Sequence, residues 1–446
     1  MIQKEFKEQL LQAALNAGFQ EAEIYYQSAE SFECTVFEGE IDSYETSEDG
    51  GLGFRGLYNG KMGYSYTEKI DVDSIPFLID SAIANASILD ETDGTDIFGG
   101  SPKYENHDFY FEKLDKVEIP EKIALLCSIE EKIRAYDPRI ITLDYCGLSE
   151  TKSERSIRNS KGLSLSEKKN GLILYFSTVV RDGEETKSGF YIKRTNNFYA
   201  LDADNIAKEA AEEALAYLYE QSIPTGKYPI LLRHNTAASL LSTFSPIFSA
   251  ENTQKDQSLL KGKVGEKIAA DQLNIIDDPF HSFSLNGANF DGEGVATKRH
   301  AIITNGTLNT LLHNRKTAKI DGCETTGNAA KSSYKGTISV APQNMYIAPG
   351  QRTKEEVISS INEGLLVTKL SGLHSGTNTI SGDFSVAASG FYIKDGQISS
   401  PVKQITIAGN FYNLMKNIKE TCSDLEFSSS FGSPSILVNE LYVTVD

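Results

Sequence analysis

Residues 51–68 read GLGFRGLYNGKMGYSYTE, with Gly51, Gly53 and Gly56 in the order G-x-G-x-x-G. That pattern holds a dinucleotide only where a strand enters it and a helix leaves, so that the helix N-terminus meets the pyrophosphate. Here Asn59-Gly60 follows almost at once, between two aromatic runs. Asn-Gly at such a place is a hairpin signal, not a helix start. The stretch therefore predicts two antiparallel strands packed closely through their glycines, and it argues against a doubly wound nucleotide-binding fold.

Working outward, the first 92 residues read helix, strands, helix. Phe6, Leu10, Ala13 and Ala14 share one helical face, and Gly18 follows as a stop. EAEIYYQ and SFECTVFEGEIDSYE have strand character. SIPFLIDSAIANASIL predicts a second helix, with Ser74 as its cap and Pro76 in its first turn. An acidic, Gly- and Pro-containing stretch over 90–108 marks a boundary. The order then recurs over 110–220: a helix in EIPEKIALLCSIEEKIRAY, strands from Arg139 to Arg194, and a helix in ADNIAKEAAEEALAYLYE. Turns are expected at 159–162, at Asn170-Gly171 and at Asp182-Gly183. A second boundary, QSIPTGKYP, opens a third region over 226–446. That region has one apolar helix candidate from Thr236 to Phe248, then short strands and glycine turns. SGFYIK occurs at 188–193 and again at 389–394, which reads as two similar aromatic strands. The fold class is α+β: an N-terminal half of helix–strands–helix units and a β-rich mixed or antiparallel C-terminal domain.

The chain has 446 residues, 40% of them apolar, and a net charge of −19. A surface this negative repels phosphate backbones and anionic membranes, so neither nucleic acid nor membrane is an expected partner. No apolar run approaches the length of a membrane span, and the first residues look like an amphipathic helix, not a signal peptide. Cys34, Cys127, Cys146, Cys323 and Cys422 are odd in number, widely spaced and form no C-x-x-C. A disulfide framework or cysteine-type zinc site is not expected, and the cytoplasm is the expected compartment.

Other chemical motifs are missing. There is no G-x-x-x-x-G-K-[ST] phosphate loop and no G-x-S-x-G elbow. His374-Ser375 are chain neighbours and face different ways, so they make no catalytic pair. A helical zinc site needs two imidazoles one turn apart with a glutamate beside the first. The six histidines are never closer than 13 residues. Two acidic clusters remain, Asp277-Asp278-Pro279 and Asp291-Gly292-Glu293-Gly294. Both have the composition of turns, and both have the oxygens that acid–base chemistry or a divalent ion would use.

The C-terminal half carries SLLKGKVGEKIAA, NIIDDP, FDGEGVATKRHAIITNGTLNTLL, TTGNA, then SGDFSVAASGFYIKDGQISSPVKQITIAGNFYNLMKNI and FGSPSILV. In order and wording this series resembles the TldD/PmbA family, and within it the PmbA (TldE) branch; residues 51–67 resemble the family's N-terminal region. The signature positions are Asp278, Asp291, Glu293, Gly294, Gly382, Asp383, Phe384, Gly390, Pro401 and Gly409, expected to be structural. The resemblance implies a two-subunit cytoplasmic metalloprotease whose TldD-type subunit holds zinc through an H-E-x-x-x-H helix and a C-terminal cysteine. Aligned through Ser258 and GKVGE, that helix falls on 241–246, where Leu241, Ser242 and Pro246 replace the histidines and the glutamate. Cys422 falls near the cysteine and reads as a spare thiol. The resemblance thus implies no catalytic, cofactor-binding or metal residue in this chain, and zinc only in a TldD-type partner. The expected function is a non-catalytic peptidase subunit acting on unfolded peptides as a heterodimer. The alternative is a metal-free homodimer that binds peptides or a protein without cutting. Family members have also been called modulators of DNA gyrase, a role to which the −19 charge lends no support.

Overall fold

The computed structural model describes residues 2–89, 96–282 and 284–445. In chain order the N-terminal elements are α1 (Ile2–Asn16), β1 (Glu21–Phe37), β2 (Glu40–Tyr58), β3 (Lys61–Thr67) and α2 (Ser74–Ser87), then α3 (Glu112–Asp115), α4 (Ile119–Tyr136), β4 (Ile140–Asn159), β5 (Ser164–Asp182), β6 (Glu185–Thr195) and α5 (Ala203–Leu215). The two helix–strands–helix units share one antiparallel six-stranded sheet, β3-β2-β1-β4-β5-β6. EAEIYYQ and SFECTVF join without a break into β1.

Strand alternation explains the layering. Leu148 of β4 and Leu172, Leu174 and Phe176 of β5 point to one face and pack with Leu126, Ile129 and Ile133 of α4 and Ala210 and Ala214 of α5. Ile24, Leu52 and Phe54 do the same against Leu10 of α1 and Leu78 of α2. Gly51, Gly53 and Gly56 of the opening stretch all lie inside β2. A Cβ at Gly51 would meet the Tyr334 ring at 2.3 Å, one at Gly53 the Tyr334 carbonyl at 2.2 Å, and one at Gly56 the Phe19 ring at 2.4 Å. They admit close contact with neighbouring packing groups, and the chain leaves β2 by the hairpin at Asn59-Gly60.

Some expectations fail locally. Asn170-Gly171 is not a turn but continuous β5, because the buried Asn170 amide finds backbone partners in residue 111: Phe111 N donates to Oδ1 (2.8 Å) and Nδ2 donates to Phe111 O (3.1 Å). Ser74 is the first residue of α2, not its cap; its hydroxyl donates to Lys69 O (2.7 Å). The helix expected over 203–220 stops at Leu215 and continues as turns. Of the 90–108 boundary, residues 90–95 lie outside the described residues.

The C-terminal region contains β7 (Gly226–Leu232), α6 (His234–Phe244), β8 (Ile275–Asp277), β9 (His300–Thr304), β10 (Thr307–Leu308), β11 (Ala329–Ala330), β12 (Ser339–Val340), β13 (Met345–Ile347), β14 (Glu363–Ser371), β15 (Asp383–Lys394), β16 (Gln397–Asn410), β17 (Ile418–Thr421), β18 (Glu426–Phe427), β19 (Phe431–Ser433) and β20 (Ile436–Val445). One sheet runs β16-β15-β14-β7-β20-β17, and β16 pairs again with β20, which closes a barrel. A second sheet runs β10-β9-β8-β13-β19-β18. Helix α6 ends where Pro246 sets a 3-10 turn, Ser245–Phe248, in place of the single helix expected to Phe248. Its Leu240, Leu241 and Phe244 belong to the large core that also holds Ile230, Leu365 and Ile407. Among the described residues, no helix is long and apolar enough to cross a membrane.

Candidate functional site

The two acidic clusters are both buried, and one short segment links them. Asp277 ends β8, wholly buried, and its carboxylate accepts from Asn344 N (2.7 Å), Gln343 N (2.9 Å) and Asn328 Nδ2 (2.6 Å). Burial pushes Asp277 up to about 6 despite those donors. Asp291, also wholly buried, accepts from Glu293 N and Val295 N (2.9 Å each) and from Ala329 N (3.0 Å). Neighbouring Asn328 and Ala329 thus bind one cluster each, which gives the TTGNA phrase a structural meaning. Asp278 accepts from Phe280 N (3.0 Å) and lies 3.6 Å from Arg299 Nε. Gly294 takes φ +82°, and a Cβ there would meet Leu163 at 2.6 Å. These loops are turns, as their composition suggests, but turns whose acids are fastened by backbone donors in the interior.

Glu293 faces the N-terminal sheet. Its Oε2 accepts from Arg315 N (2.9 Å), and burial raises its pKa and that of Asp291. Across from it, Arg55 of β2 is 3% exposed and its Nε donates to Glu23 Oε1 of β1 (2.7 Å). Glu23 is 1% exposed and also accepts from Asn159 Nδ2 (3.3 Å). Lys331, just past β11, completes the seam with its ammonium 4.5 Å above the Tyr25 ring. Desolvation, reinforced by Arg55, pushes that amine down to about 7. Sequence reading missed Glu23, Arg55 and Lys331. The available signal was parity: residue 23 pairs with 55 across β1 and β2, so both side chains share a face.

A cleft of about 230 Å³ opens beside Glu293, bordered by Asp96, Arg315, Lys319 and Cys323. Cys323 Sγ lies 3.7 Å from Nε2 of the buried His313. The remaining five histidines are dispersed: His107 stacks on Phe280, His234 begins α6, His281 packs by Tyr346, His300 Nε2 bonds to Thr326 O (2.5 Å), and His374 lies in the turn after β14. Among the described residues, no group of three or more His, Cys, Asp or Glu side chains is placed to hold a metal ion.

The 241–246 segment is of another character. Leu241 is wholly buried, Ser242 half-buried and Pro246 exposed. The remaining signature residues shape the barrel. A Cβ at Gly390 would stand 1.9 Å from Leu366 O, and one at Gly409 2.8 Å from the Phe384 ring, so both strands pass too closely for a side chain. Gly382 has φ +84°, and Asp383 accepts from Ser381 Oγ (2.7 Å) and Asn410 Nδ2 (2.9 Å). Pro401 O accepts from Gln221 N (2.9 Å).

Family models described as PmbA/TldA metallopeptidase domain 1, central domain and C-terminal domain match residues 22–86, 112–218 and 225–445. The mixed α+β architecture and these matches define a metallopeptidase-type chain. It belongs to the PmbA/TldD family. An uncharacterized protein of Methanocaldococcus jannaschii is 31% identical over 96% of this chain and 98% of its own. The metalloprotease PmbA of Escherichia coli O157:H7 is 25% identical over 91% of this chain and 88% of its own. Among solved structures, TldE from Thermococcus kodakarensis is 25% identical with a TM-score of 0.90, covering 99% of this chain and all of that one. A Thermotoga maritima protein described as a candidate modulator of a DNA gyrase gives 31% and 0.92, with 99% and 100% covered.

Proposed function

We propose that this chain is the non-catalytic subunit of a TldD/TldE-like cytoplasmic metalloprotease that processes unfolded peptides, with zinc held only by a TldD-type partner. The observation that carries the reading is the chemistry of the segment aligned with the zinc helix. Leu241 offers no lone pair, and Pro246 offers neither a side-chain donor nor a backbone N–H. Leu241 borders a cavity of only about 10 Å³, lined by apolar side chains such as Leu240, Ile275, Phe411 and Met415. That space is marginal for one water and has no polar group to hold it. Cys422 is buried among Val357, Ile358 and Leu437, and its thiol is pushed up to about 12, so it remains protonated at neutral pH. These residues do not fit a zinc ion.

The chain's contribution is then to shape and hold. β3 covers only the Leu52–Tyr58 part of β2, so residues 40–51 leave one edge without a strand partner among the described residues. An extended peptide can pair with such an edge through backbone hydrogen bonds. The same edge supports the second reading, a metal-free homodimer that binds peptides without cutting them. Co-expression with the organism's TldD-type protein separates the two. A stable complex with peptidase activity and zinc bound in the partner is expected; no complex at micromolar concentration would overturn the heterodimer.

A further inference from the structure

The seam between the β1–β2 pair and the C-terminal loops holds two basic side chains, Arg55 and Lys331, whose donors are incompletely used among the described residues. Arg55 is almost wholly buried, and its Nε is bonded to Glu23. Its Nη2, equally buried, has no hydrogen-bond partner among the described residues. A buried guanidinium N–H left without an acceptor is rare, because the lost hydration is not replaced. Among the described residues, Lys331 has only the Tyr25 ring beneath its ammonium, and Tyr25 lies two residues along β1 from Glu23, on the face where Glu23 pairs across from Arg55.

The nearby carboxylates do not supply what is missing. Glu23 is engaged by Arg55 Nε and Asn159 Nδ2. Asp291 is taken up by three backbone N–H groups. Glu293 is bonded to Arg315 N, and burial favours its neutral form. Arg55 and the Lys331 amine therefore share a low-dielectric seam with an unused donor on each, and an anion with two acceptor oxygens would both use those donors and favour the charged form of the amine.

We propose that this seam is a carboxylate-binding site, in which one carboxylate accepts from Arg55 Nη2 and from the Lys331 ammonium. Lys331 is partly exposed and Arg55 is not, so the ligand enters past the lysine with its carboxylate leading. A flat, singly charged group suits the guanidinium edge. A free small carboxylate and the C-terminus of a peptide present the same chemistry. The site belongs to this chain alone and does not rest on pairing with a catalytic subunit.

The test uses the isolated full chain, with acetate against acetamide at constant ionic strength, in thermal-shift and calorimetric titrations. Acetate is expected to raise the melting temperature with log concentration, and acetamide is not. Lys331→Met, which keeps the length of the side chain and leaves the Glu23–Arg55 pair intact, should weaken acetate binding at least tenfold while retaining the wild-type circular dichroism. Acetate should also raise the pKa of the Lys331 amine, followed by NMR of its side-chain carbon. A short peptide with a free C-terminus and its amide then identify the source. Tighter binding of the free acid than of acetate or the amide assigns the site to peptide termini; acetate binding with both peptides inert assigns it to small carboxylates. If neither acetate nor the free-acid peptide distinguishes wild type from Lys331→Met, the proposal is wrong.

Discussion

Helix α6 and the β1–β2 seam are both interior, yet they are stabilised by opposite means. Around α6, Leu240, Leu241 and Phe244 pack into a large apolar core, and stability there scales with area removed from water. At the seam, Glu23, Arg55, Glu293, Asp291 and Lys331 are packed between sheet and loops, and stability depends on whether each charge has a partner. The first region tolerates imperfect packing by degrees. The second fails group by group. In the first, Leu240, Leu241 and Phe244 turn α6 into a packing element; in the second, ionisable side chains fill the interior.

The largest effect is expected from Glu23→Ala. It leaves the Arg55 guanidinium buried without its carboxylate, and breaking one side of a buried pair costs about 3–5 kcal/mol. Urea denaturation followed by circular dichroism would measure it. A loss below about 1 kcal/mol would show that water reaches Arg55, and the contrast between the two interiors would collapse. Next comes Leu241→Ala in α6, with an expected cost of about 3 kcal/mol from lost transfer energy and residual cavity. Unlike Glu23→Ala, this loss should be independent of salt, because no charge is uncovered.

The sequence shows these two regions with unequal clarity. The α6 core was legible, since Leu240, Leu241 and Phe244 recur at helical spacing, but its end was not: the helix was expected to run to Phe248, and Pro246 stops it earlier. The β2–β3 hairpin was legible through Asn59-Gly60. Asn170-Gly171 misled because a turn dipeptide can stay extended when a distant backbone segment satisfies its amide. The seam was not legible: Arg55 and Lys331 are 276 positions apart, and their meeting depends on how loops of one domain dock on the sheet of another. The Asp291 and Glu293 loop stood out only as turn chemistry, because the donors that fasten it include Ala329 N and Arg315 N, which no local pattern predicts.

The pH dependence sharpens the contrast with a smaller effect. Lys331 is pushed from 10.5 to about 7, so the unfolded chain binds its proton more readily between those values. Its contribution is complete above 10.5 and is lost as pH falls through 7. Asp277 is raised from 3.8 to about 6, so its contribution is complete below 3.8 and is lost as pH rises through 6. Together they place a dip in stability near neutral pH. In Lys331→Met the rise from pH 7 to 9 should be smaller than in wild type by about 1 kcal/mol, allowing for partial exposure of the side chain. Parallel wild-type and variant curves from chemical denaturation at the two pH values would remove Lys331 from the seam's electrostatics. Leu241→Ala should leave the slope untouched.

The smallest effect is expected from Ser242→Ala, and it bears on function more than on stability. Ser242 is half-buried on α6, beside the wholly buried Leu241; its carbonyl accepts from Ser245 Oγ, and its own hydroxyl has no hydrogen-bond partner among the described residues. Alanine keeps that carbonyl and favours the helix slightly, so stability should change by less than about 0.5 kcal/mol. Under the proposed reading, this position stands where a TldD-type subunit would carry its catalytic glutamate. If the chain supplies no chemistry there, the variant paired with a TldD-type subunit should cut peptides at the wild-type rate and with unchanged pH profile. An intact fold and complex with a tenfold lower kcat would mean that the α6 segment does act on the substrate. The distinction between an inert apolar core and a chemically active seam would then have to be abandoned on the α6 side.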